Sequence, residues 1–232
     1  PIRTYDFSIR ARRGIGLVPP VDPNNQDTSV LIGSEDISKL DLYSEGDPRV
    51  LDLTGALNRG NRGLVEFIEI FKNETEYLHT IITATQEKSI PAPGRHGMIY
   101  VDTCIIAHSN ESEWKRFRSD HTNEAILDRI VTIKVPYNLR LDEEVKIYKK
   151  IIRQSRFTAD IAPHTIEVAS MFAILSRLDP TAKCDLMTKL KLYNGEEVVE
   201  KGRTKRIDVS ELKEEAKSEG MSGISTRFIM KA

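Results

Sequence analysis

The apolar positions of this chain fall into three regimes. Over residues 1–60 they come in short pieces such as SVLIG, separated by the turn-forming stretches GLVPPVDPNNQD, GSED, SEGDPR and GALNRGNRG. Glycine, proline, asparagine and aspartate at that density predict loop-rich structure lying on something larger. From Leu64 the pattern sharpens. LVEFIEI (64–70) has the length and apolar content of a strand. Asn73 and Glu76 then form an N-x-x-E pair of capping-box type, opening a helix with Tyr77, Leu78, Ile81 and Ile82 on one face. SIPAPGRHG (89–97) predicts a loop or hairpin tip. MIYVDTCIIAHSN (98–110) predicts a long strand suited to the interior of a parallel sheet. TNEAILDR predicts a short helix ending at Arg129, and IVTIKVPY (130–137) a returning strand.

After Pro136 the periodicity is helical only. Residues 141–155 place Leu141, Val145, Tyr148, Ile151 and Ile152 on one stripe, with Asp142, Glu143 and Glu144 at the start and Lys149 and Lys150 later, as the helix dipole favours. Residues 163–178 predict a second helix, apolar nearly all round and stopped by Asp179-Pro180. The polar SELKEEAKSE and then GISTRFIMKA follow. The order is an α/β part, a boundary near Tyr137, and a helical part, without internal repeats.

Composition changes this picture little. Hydrophobic residues make up 39% and charged residues 30% of the 232, an ordinary globular balance. The formal net charge of −1 gives no general electrostatic reason for binding nucleic acid or membrane. The cluster RARRGIG (10–16) reads as a solvated basic surface or, alternatively, as an anion-facing or subunit-facing edge. No apolar run approaches the ~20 residues of a membrane span and no signal peptide opens the chain, so a cytoplasmic location is expected. Cys104 and Cys184 lie too far apart to form a ligand pair, and Cys104, within an apolar run, is expected to be a buried, reduced thiol. The chain opens at Pro1 and stops at Ala232 inside a helical pattern, and is expected to be a portion of something longer.

A strand entered through a glycine turn and closed by a glutamate has the form of a nucleotide site, so a phosphate cradle is the first thing to seek. None of the 13 glycines begins a G-x-x-x-x-G-K-[ST] loop. His96 and His121 have no partners at metal-ligand spacing, which argues against zinc. No Ser-His-Asp arrangement stands out. In EWKRFRSDH (113–121) the single tryptophan, Trp114, is expected to be a packing anchor.

The order of the remaining pieces points the other way. GALNRGNRGLVEFIEIF, ATQEKSIPAPG, CIIAHSN, AILDRI and GISTRF together resemble the second half of an AAA+ ATPase module. The branch is that of magnesium chelatases and replicative helicases, and the resemblance is closer still to the bacterial PrkA family, serine protein kinases with an AAA+ domain followed by a kinase-like domain. It runs through nearly all of the chain and rests on order and spacing rather than on one motif. It implies a partial AAA+ P-loop NTPase core, a parallel sheet with helices, over 1–137 and an all-helical lid over 138–232. The phosphate loop is expected upstream of Pro1 and kinase activity mainly in a further C-terminal domain.

The resemblance also assigns roles. Glu69 falls where the family keeps the Walker B carboxylates that hold magnesium and orient the attacking water, although Ile68 stands in place of the usual aspartate. Glu66, three residues earlier, belongs to the opposite strand face. Asn110 falls at sensor 1, facing the γ-phosphate or the water, while His108 reads as packing or surface. Arg129 matches the arginine finger that reaches a neighbouring subunit's γ-phosphate, and Arg227 matches sensor 2 on a lid helix. The expected cofactors are ATP and Mg2+, neither held tightly by this chain alone. The expected partners are further copies of the chain, through an AAA+ ring interface, and protein substrates. Two rivals stand beside this reading. One is a nucleic-acid motor using the 88–97 hairpin, which its weak basicity (Lys88, Arg95) disfavours. The other is a degenerate scaffold that binds nucleotide without hydrolysing it, suggested by Ile68.

Overall fold

The computed structural model describes residues 6–20, 28–73, 75–94, 96–200, 203–204 and 207–231. The chain divides into two compact units, Pro1–Val131 and Thr132–Ala232.

The first unit is built from β1 (Ile15–Val18), α1 (Ser29–Ile32), β2 (Ser34–Glu35), β3 (Leu51–Asp52), α2 (Ala56–Arg59), β4 (Leu64–Phe67), α3 (Thr75–Glu87), β5 (Ser89–Pro91), β6 (Met98–Tyr100), β7 (Cys104–Ala107), α4 (Glu111–Ser119) and α5 (Glu124–Leu127). β1, β4 and β7 form a parallel sheet with β4 in the middle. Alternation along β4 sends Val65 and Phe67 into the core, where Val18, Leu31, Leu57 and Ile90 are likewise fully buried. Entry into β4 depends on Gly63, because a Cβ there would lie 2.0 Å from the carbonyl oxygen of Gly14. The turn-rich first sixty residues thus include a strand of the parallel sheet, β1, as well as loops. β2 and β3 form a short antiparallel pair.

The second unit holds α6 (Leu141–Gln154), α7 (Thr165–Leu175), α8 (Leu186–Asn194), a short antiparallel pair β8 (Val199–Glu200) and β9 (Arg203–Thr204), α9 (Val209–Glu215) and α10 (Thr226–Ile229). Its core joins Leu141, Ile174, Leu178, Leu190, Tyr193 and Leu212. Asp185 caps α8 by accepting from the Thr188 N–H (2.8 Å), and Gly195 closes that helix at φ 85°.

Three expectations need correction. The long strand over 98–110 is two strands, because the Asp102 backbone is captured by the turn before β4: its N–H donates to Asn61 Oδ1 (2.8 Å) and its carbonyl accepts from the Arg62 N–H (2.6 Å). β6 therefore folds back on β5 as a hairpin while β7 joins β4. The strand expected over 130–137 does not form. Its alternating Val131, Ile133 and Val135 are 79–88% exposed, and no strand among the described residues offers them a ladder. Cys104 is exposed rather than buried, since β7 is the outer strand of the described sheet. The Asn73–Glu76 capping pair cannot be followed, because the Glu76 side chain lies outside the described residues, as does Arg95.

Candidate functional site

β4 and β7 run in register with Phe67 opposite Ala107, so both leave the sheet at the same carboxyl edge. In open parallel sheets that edge is where ligands collect. Beyond Phe67 the Ile68 N–H still donates to Val18 O (2.9 Å), extending the ladder to β1. Glu69 then turns into the left-handed region at φ 49°, ψ 52°. For a side chain with a Cβ that conformation costs about 1–2 kcal/mol, and such outliers gather where function needs them. The turn ends the two-residue alternation, so Glu69 leaves the strand on a course of its own, whereas Glu66 stays within β4 between Leu17 and Ile106.

A single tight turn, Ile70–Lys72, follows, and Lys72 Nζ pairs with the Glu69 carboxylate. That hydrogen bond raises the Lys72 pKa. The pair is well exposed, so it contributes little to stability and can open for a ligand. The same turn is bonded to the neighbouring exit: the Ile70 N–H donates to His108 O (3.1 Å) and the His108 N–H to Phe67 O (3.1 Å). Phe71 stacks on Phe117 at 4.3 Å between ring centroids and lies 5.4 Å from Trp114, pinning the Glu69 turn to α4. Trp114 is the packing anchor its sequence context suggested.

Asn110 is the N-cap of α4. Its Oδ1 accepts from the Glu113 N–H (2.8 Å) and the Ser112 hydroxyl (2.7 Å), which occupies the acceptor, while nothing among the described residues accepts from its Nδ2. The amide donor is what an anion would use. Arg129 lies in the turn after α5, exposed, with Nη1 donating to Ala125 O of its own helix. Arg227 stands exposed on α10 in the second unit. The first unit thus brings Glu69 and Asn110 to one edge, with Arg129 exposed in the turn after α5. Sequence reasoning missed Lys72, whose spacing of three from Glu69 was visible as a local pairing signal.

The donor set bears on a divalent ion. Among the described residues no three acidic, histidine or cysteine side chains cluster to hold a metal. Glu69 alone could meet a magnesium ion whose other ligands are phosphate oxygens and water, which suits that ion's habit. Lys88 pairs with Asp102 (2.9 Å). His96 Nε2 sits 3.1 Å from Glu35 Oε1. Among the described residues no helix is long and apolar enough to cross a membrane.

Comparison with known proteins agrees with this architecture. The family profile described as PrkA AAA domain matches residues 1–185, and the profile described as PrkA serine protein kinase C-terminal domain matches residues 187–232. A Bacillus subtilis (strain 168) protein named ATP-dependent protease PrkA is 43% identical over 228 residues, covering 97% of this chain and 36% of that protein. An Escherichia coli (strain K12) protein named serine/threonine kinase YeaG is 42% identical over 226 residues, covering 97% of this chain and 35% of that protein. The chain therefore spans about a third of the length of these curated relatives. Among solved structures, NtrX from Brucella abortus in complex with ADP aligns with 80% of this chain and 39% of its own at 15% identity and a TM-score of 0.48. Arg227 falls within the stretch matched by the C-terminal profile, whose match begins inside the chain.

Proposed function

The chain belongs to the PrkA family, and on that premise we propose that it is the water-side and lid portion of an AAA module that binds and hydrolyses ATP in an oligomer to act on protein partners. The observation that carries this reading is the bonded pair of exits at the carboxyl edge, where a left-handed glutamate and a helix-capping asparagine with a free amide donor leave adjacent parallel strands. Bound ATP with magnesium would supply the phosphoryl group and its charge neutralisation. Glu69, released from Lys72, would orient water; Asn110 Nδ2 would donate to a phosphate oxygen. Arg129 and Arg227 would meet developing charge from a neighbouring copy and from the lid. The relatives carry both protease and kinase names, and a protein-directed activity is common to the two.

The test is Glu69→Gln in the full-length protein. The amide keeps the shape and loses the charge, so hydrolysis should fall about 10²–10⁴-fold with nucleotide affinity nearly unchanged. An unaltered turnover rate would remove Glu69 from this role and leave Glu66 as the next candidate in the strand. A second reading, a module that binds nucleotide without turnover, draws on Ile68 and on the occupation of Glu69 by Lys72. It predicts MgATP binding by the wild-type protein with no phosphate release.

A further inference from the structure

Arg227 stands on a helix of four residues, and so short a helix has no stability of its own. Its placement depends on what holds the segment leading into it. The Gly220 N–H donates to Arg177 O (3.1 Å) and the Ile224 N–H to Ser176 Oγ (2.9 Å). Arg177 Nε donates to Ile224 O (2.9 Å), and the Thr226 hydroxyl to Glu144 Oε1 (3.3 Å). The same guanidinium reaches Glu144 Oε1 (2.8 Å) and Asn138 O (2.8 Å) and lies over the Tyr137 ring. Both charged side chains are buried, at 0% and 1% exposure. Gly223 lets the segment come this close, since a Cβ there would sit 2.6 Å from Ser176 O and its φ is +106°.

A guanidinium used on three acceptors from three separate segments is a fixed joint, because its planar fork holds all three at set angles. Its two ends also belong to different matched regions: Glu144 and Arg177 lie within residues 1–185, Ile224 and Arg227 within 187–232. From these contacts we propose that Arg177 and Glu144 are positioning residues, a buried pair that holds the 220–226 segment so that Arg227 is presented to a nucleotide phosphate. The proposal rests on the reading of Arg227 as a nucleotide-facing arginine, and it makes residues within the C-terminal match part of the nucleotide response.

The experiment uses the full-length protein and two readouts, MgATP affinity by calorimetry and amide hydrogen exchange over residues 226–230. Ser176→Ala removes the tie to Ile224 without touching the buried ion pair. It should speed exchange and weaken MgATP binding, each by about 3- to 30-fold, and should add nothing to the loss caused by Arg227→Ala. Arg177→Lys keeps a charge opposite Glu144 but reaches fewer acceptors, and should behave in the same way. Arg227→Ala should weaken binding and leave exchange at Ile229 and Met230 unchanged. If Ser176→Ala leaves exchange unchanged, the joint does not hold the segment and the proposal falls, whatever Arg227 does. If exchange rises and affinity holds while Arg227→Ala still weakens binding, positioning is overturned and the reading of Arg227 survives. If Arg227→Ala leaves affinity unchanged, both fall.

Discussion

Asn110 is asked to do two things at once, and its two side-chain atoms separate them. Oδ1 caps α4 and Nδ2 is the free donor. Asn110→Asp keeps the cap acceptor and loses the donor, so helix stability should hold while ATP hydrolysis falls. Asn110→Ala should lose both, with about 0.5–2 kcal/mol of stability going with the cap. Thermal unfolding and phosphate release on the two variants would separate the roles; equal activity of Asn110→Asp and wild type would reduce Asn110 to a cap. The roles proposed for Glu69, Asn110, Arg129 and Arg227 came from the family resemblance, while the ends of apolar runs where Glu69 and Asn110 sit were legible in the sequence. The left-handed turn at Glu69 was not, since no glycine marks it. Nor was the joint around Glu144: in sequence that residue belongs to an acidic first turn and reads as a dipole partner, and its true partner, Arg177, is 33 positions away.

At the scale of elements, α6 and the turn that ends α7 are tied by that pair. Burial pushes the Glu144 carboxyl up, and hydrogen bonds from Arg177 and Tyr148, with the Arg177 charge, more than offset it, leaving the pKa below its ordinary 4.5. A depressed carboxylate contributes stability that is present above its unfolded value and is lost as pH falls through the folded one. The second unit should therefore loosen below about pH 4.5. Glu144→Gln should flatten that acid response, and Glu144→Ala, which strands a buried guanidinium, should cost about 3–5 kcal/mol; hydrogen exchange across α6 and α7 reads both. A pH response as steep in Glu144→Gln as in wild type would place its origin elsewhere. Beside the pair, the Tyr148 hydroxyl is buried against Glu144. Burial, then the hydrogen bond to Glu144 and that carboxylate's charge, push its pKa up. Element by element, helices α6 and α7 and strand β4 followed from periodicity, which local sequence carries. The 98–110 and 130–137 regions did not, because strands form only where a partner exists. Asp102 has its backbone partner in another loop, and Val131, Ile133 and Val135 have none among the described residues.

For the whole molecule, the proposed function requires an ATP site completed between copies of the chain, with Glu69 from one and Arg129 from the next. Arg129 suits this by exposure: among the described residues its side chain bonds only to its own helix, and a guanidinium finger is worth roughly 10³–10⁵ in rate in related phosphoryl-transfer systems. A role confined to the helix end would be worth only about 0.3–1 kcal/mol of stability. Glu69→Gln and Arg129→Ala proteins should each be nearly inactive alone while still binding MgATP. The most direct measurement is the ATPase rate of the two full-length variants mixed in equal amounts and allowed to exchange subunits. In a head-to-tail ring, about a quarter of the interfaces then join an intact Glu69 to an intact neighbouring Arg129, and the account predicts that a corresponding share of wild-type activity returns. A mixed oligomer, verified by mass, that stays as inactive as either variant alone would contradict it.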